Sequence, residues 1–123
     1  MRFLSMIRVD ETTGQQPSER LMRDMGQLID EMTRQGVLVS TAGLRPSAEG
    51  VRIRLRGGQL STVDGPFTES KEVIGGFAIL EAKSRREALE LTKRFLRIHG
   101  EEWDIECELR QLDGPEFGAA QSA

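Results

Sequence analysis

The sequence predicts an α+β domain: an antiparallel sheet carrying two helices on one face, with a β-hairpin inserted between its halves. Three observations lead there. Two segments with apolar residues at helical spacing, one between Pro17 and Gly36 and one between Ser84 and Gly100, are each flanked by segments of strand character. A Gly57-Gly58 pair joins two short runs of strand type, as in a two-residue hairpin. The order is strand–helix–strand, hairpin, strand–helix–strand. Without the hairpin this is a ferredoxin-like split βαβ arrangement.

The elements follow in order. Phe3, Ser5, Ile7 and Val9 alternate with Leu4, Met6 and Arg8, and both faces are largely apolar, which fits a central strand. A polar loop, 10–16, leads to Pro17, expected to open the first helix because its missing N–H is harmless there. Leu21, Met25, Leu28, Ile29 and Met32 form one helical stripe, and Gly36 stops it. A second strand covers 37–44. In 51–56 Val51, Ile53 and Leu55 are expected to face inward, and Arg52, Arg54 and Arg56 outward. Residues 59–63 return, and 74–82 form the next strand. Ser84 and Glu87 make a capping box for the second helix, whose buried stripe is Ala88, Leu91, Phe95 and Ile98. Trp103, Ile105, Cys107 and Leu109 then alternate with charged residues in a last strand.

With 123 residues the chain is one domain by length, expected over 1–114 with a tail at 115–123. Such a length buries a core without metals or disulfides. Charged residues make up 30% and the net charge is -3, so a broad nucleic-acid surface, which needs excess Lys and Arg, is not expected. The single cysteine, Cys107, has no disulfide partner in the chain, and no Cys/His cluster has metal spacing. No cofactor is implied. The N-terminal segment lacks signal-peptide character, and no run approaches the roughly 20 apolar residues of a membrane span. These features predict a cytoplasmic protein with no membrane contact. Because Leu4 and Met6 are as apolar as Phe3 and Ile7, the sheet face away from the helices needs a cover, and a homodimer packed sheet to sheet supplies it.

The candidate site centres on "VDGPFTESKEVIGGF", 63–77. Asp-Gly between strands usually marks a tight hairpin, but Pro66 follows and the next strand starts about ten residues on, longer than the usual connection of roughly 4–6 residues. Pro66 and Phe67 would stiffen this loop and anchor it by burial, holding Asp64 in a recess. Desolvated there, Asp64 is a candidate general base; alternatively it caps its own turn. Phe67 and Phe77 are candidate apolar walls, Lys71 a candidate anion contact, and Gly75-Gly76 a bulge or close backbone approach. His99, the one histidine, suits the C-terminus of the second helix.

These residues are similar to the DGPF-type branch of the YCII-related proteins. The resemblance rests on Asp64-Gly65-Pro66-Phe67 followed by Gly75-Gly76-Phe77 and extends over most of the chain. It implies a bacterial, cytoplasmic, dimeric α+β barrel with a pocket between sheet and helices near Asp64. It further implies partnership with an extracytoplasmic-function sigma factor. In the better-studied branch a histidine on the first helix and an aspartate are proposed as a catalytic pair; here the Asp carries over to Asp64, while the histidine's place falls near Met25. Three readings follow: a domain binding an unidentified small molecule near Asp64, with a regulatory role; a cofactor-independent enzyme using Asp64 as base; and an interaction module using the Arg52/Arg54/Arg56 face.

Overall fold

The computed structural model describes residues 1–68 and 72–117. Lys71 and the end of the tail, 118–123, lie outside the described residues. Four strands form the main sheet: β1 (Arg2–Val9), β2 (Leu38–Gly43), β5 (Val73–Glu81) and β6 (Glu106–Gln111), in the order β2-β5-β1-β6. Every neighbouring pair is antiparallel. The helices α1 (Glu19–Arg34) and α2 (Arg85–Arg97) cross over between strands, and β3 (Val51–Arg56) with β4 (Gln59–Asp64) form a separate two-stranded sheet. This is an α+β fold compatible with the ferredoxin-like arrangement, with the hairpin inserted where the sequence places it.

The helices begin and end on identifiable residues. Ser18 Oγ accepts from the Leu21 amide at 3.1 Å, so Ser18 is the cap of α1 and Pro17 precedes it; proline does not open this helix. A serine cap satisfies an amide that proline, one residue earlier, leaves untouched. Ser84 Oγ likewise accepts from Glu87 N at 3.1 Å. The last strand is shorter than alternation predicts. Trp103 follows a 3-10 turn at Gly100–Glu102, and pairing with β1 starts at Glu106.

Both helices cover the sheet face that carries Phe3 and Leu80. There Phe3, Leu28, Met32, Leu38, Leu80, Ala88, Leu91 and Phe95 form one core. Met32 and Leu80 are 0% exposed, and burying each such side chain is worth about 1.5–3 kcal/mol. On the other face Leu4 pairs with Ile79 and Met6 with Phe77, all half-buried and turned away from the helices.

The hairpin corrects one expectation. Its turn is as predicted: Gly57 and Gly58 both have positive φ, at 56° and 77°. Its apolar face, however, is not turned inward. Ile53, Leu55 and Leu60 are 67%, 68% and 73% exposed. Alternation fixes which residues share a face; it does not supply anything for that face to pack on.

Candidate functional site: a cleft under the first helix

The face that bears the core changes character along its length. In register, Phe3 meets Leu80, Ser5 meets Ala78, and Ile7 meets Gly76. Large side chains therefore give way to small ones along β5, and the helices do not close over the small ones. The result is a cleft of about 1160 Å³ between the sheet and the N-terminal half of α1. That volume is somewhat above the usual range for small-molecule sites, roughly 300–1,000 Å³. Met22, Met25 and Ile29 hang over it from α1.

Glycines keep the floor low. The register between β1 and β5 shifts at Ile7/Arg8, leaving Gly75 as the extra residue of a bulge. A Cβ at Gly75 would lie 2.7 Å from Val9 Cγ2, and one at Gly76 would lie 3.0 Å from the Ala42 carbonyl oxygen. Both residues border the cleft, as does Phe77. Alternation sets the Phe77 side chain on the opposite face beside Met6, so it is the strand backbone there, rather than the ring, that bounds the floor.

One rim is the loop after β4. It is held by a serine that the sequence reading passed over. A Cβ at Gly65 would lie 1.7 Å from the Ser47 carbonyl oxygen, so only glycine admits this approach. The Phe67 amide donates to Ser47 Oγ at 3.1 Å. Ser47 in turn donates from its amide to Glu11 Oε2 at 3.0 Å and from its hydroxyl to Glu11 Oε1. These bonds hold the Glu11 carboxyl below its usual range, the Ser47 hydroxyl contributing most. Three segments distant in sequence are thus tied at one buried serine. Phe67, half-buried, lines the cleft, and its ring lies under the Arg52 guanidinium at 4.0 Å.

The carboxylate expected in a recess is elsewhere. Asp64 is exposed at the end of β4, opposite Val51, and is not among the residues lining the cleft. The loop is tied to Ser47 through the Phe67 amide, and the carboxylate bonded to that serine is Glu11. Nothing in the local pattern around Glu11 announces this, because its partner is 36 residues away.

The inner end of the cleft gathers four polar side chains. Ser5 Oγ and Cys107 Sγ are 2.7 Å apart. Burial pushes the Cys107 thiol up, the Ser5 hydrogen bond offsetting part of the effect, so the thiol stays protonated near neutral pH. His99 Nδ1 lies 2.8 Å from the Phe95 carbonyl, which can only accept, so Nδ1 carries the hydrogen. The His99 and Trp103 rings meet edge to face, centroids 6.1 Å apart. All four residues line the cleft.

Among the described residues, no group of three or more His, Cys, Asp or Glu could hold a metal ion, and no helix is long and apolar enough to cross a membrane. Comparison with known proteins bears on the family. Residues 1–97 match the YCII-related domain. An uncharacterized protein of Rhizobium meliloti (strain 1021) is 31% identical over 85 residues, 69% of this chain and 68% of that protein. The split βαβ sheet, the hairpin and the match over most of its length together establish that this chain belongs to the YCII-related family.

Proposed function

We propose that this protein is a small-molecule binding domain of the DGPF-type branch of its family, and that the cleft under α1 is its binding site. One observation carries the reading: the helix-facing side of β5 runs from Leu80 through Ala78 to Gly76, so a cavity is written into side-chain size and is not left by poor packing. Natural cores rarely leave such room without use. Phe67, Gly75 and Gly76 belong to this site, and Asp64 takes no part in it. The lining is largely apolar, so the ligand is a mainly apolar molecule. NMR titration with naphthalene tests this. The methyls of Met25 and Ile29 should shift together and saturate, while those of Leu4 on the far sheet face stay fixed. No binding, or shifts on the far face instead, would overturn the assignment.

A homodimer is the second reading, favoured by the exposed apolar stripe of Ile53, Leu55 and Leu60 and the uncovered Leu4–Ile79 face. An isolated two-stranded hairpin is marginal in water, and a second copy supplies the missing contact. Light scattering should give twice the 13.8 kDa chain mass. Leu60→Glu should halve it. A monomeric wild type at high micromolar concentration would remove the dimer.

A further inference from the structure

We infer that Trp103 anchors the ligand of this cleft: its indole N–H donates to a carbonyl or carboxylate oxygen at one end of an otherwise apolar molecule. The inference rests on the cleft being a binding site and adds the chemistry of what it takes.

Trp103 Nε1 is buried and, among the described residues, has no hydrogen-bond acceptor. A buried N–H without a partner carries a desolvation cost that a native fold seldom leaves uncompensated. Trp103 lines the cleft, and a small turn of its indole would bring the N–H to an acceptor on a ligand seated there. His99 stands edge to face with the indole, and its Nδ1 is committed to the Phe95 carbonyl. Ser5 and Cys107 are engaged with each other. The acidic groups on the lining are not bare: Glu11 is held by Ser47, and Asp10 accepts from the Thr12 amide at 3.0 Å. The rest of the lining near this end, Ile7, Leu21, Phe95 and Leu96 among it, is apolar and suits a hydrocarbon body.

Trp103 is the single tryptophan, so its indole gives one resolvable NMR signal. The test compares 2-naphthoate, which carries the acceptor, with naphthalene, which does not. We expect 2-naphthoate to move the indole N–H signal downfield and naphthalene to leave it nearly in place while both shift the Met25 and Ile29 methyls. Trp103→Phe should weaken 2-naphthoate about tenfold more than it weakens naphthalene, the value of one hydrogen bond to a charged acceptor. An indole signal unmoved while 2-naphthoate saturates the cleft methyls would overturn the anchor and leave the cleft standing. So would equal 2-naphthoate affinities in wild type and variant. Failure of both probes to bind would overturn the cleft itself, and the anchor with it. Because the indole shift is read in the unaltered protein, the result does not depend on the variant folding.

Discussion

The two ends of one sheet face make opposite use of the same helices. At one end Met32, Leu28 and Ala88 close onto Leu80, Leu38 and Phe3, leaving no room for water. At the other, Met25 and Ile29 stand over Ser5, Ala78 and Gly76 and leave a cleft. Helix α1 is continuous across both, so the difference lies in the side chains beneath it. Stability is concentrated where the sheet offers large residues, and space where it offers small ones. A domain of this size can divide its core in this way because the closed end alone brings together two helices and three strands.

The sharpest way to break this comparison is to cut the same side chain at each end. Met32→Ala removes a fully buried methionine and should cost about 2–5 kcal/mol in denaturant unfolding. Met25→Ala, on the same helix over the cleft, should cost about 1 kcal/mol. Equal losses would mean that the open end is packed as tightly as the closed one.

Next in size is Gly65→Ala. Its methyl would overlap the Ser47 carbonyl oxygen, and the forced retreat of the loop should cost about 1–3 kcal/mol. It should also weaken probe binding, since the loop carries Phe67 into the cleft. Loss of stability without loss of binding would detach this rim from the site.

A smaller effect is expected from Ser47→Ala, visible as a drop of a few degrees in melting temperature and a change in its pH dependence. The native Glu11 carboxyl is held below its unfolded value, so at acid pH the unfolded chain takes up this proton more readily than the native one. The contribution is therefore present above the ordinary carboxylate range and lost as pH falls through it. Ser47→Ala should flatten this part of the acid limb. Glu81, lowered by the N-terminal ammonium first and Arg2 second, would keep its own part. An acid limb unchanged in the variant would mean that the Ser47 hydroxyl does not hold Glu11 in solution.

The smallest expected effect concerns Cys107. With its thiol pushed up by burial, alkylation of the native protein by iodoacetamide should be slow at neutral pH and accelerate only in alkaline solution. Rapid labelling at neutral pH would show an inner end more open than the packing indicates.

The legible parts of this molecule were those fixed by neighbours in sequence. Ser84 caps α2 through an amide three residues on. Gly57-Gly58 makes its turn from its own φ angles. Gly75-Gly76 reads as a bulge because glycine has few other uses inside a strand, and the register shift is there. The site was legible in part. The loop of Gly65, Pro66 and Phe67 does border a cleft, but Asp64 faces water beside it. The true anchor of that loop, Ser47, sits in a turn of unremarkable composition, and its bond to Glu11 depends on two chain segments meeting. Trp103 likewise alternated with strand residues on paper, yet a 3-10 turn places it at the cleft's inner end.

By itself the sequence determined the elements, their order, the caps and turns, and which residues share each face, because these follow from periodicities and dihedral preferences that act over a few residues. The tertiary structure alone decided that the sheet's small residues stack in register into a cleft floor, that Glu11 and not Asp64 is the clamped carboxylate, and that the hairpin's apolar face is exposed. Each of those is a contact, or the lack of one, between segments far apart in the chain, and side-chain distance is set by packing, which no local pattern encodes.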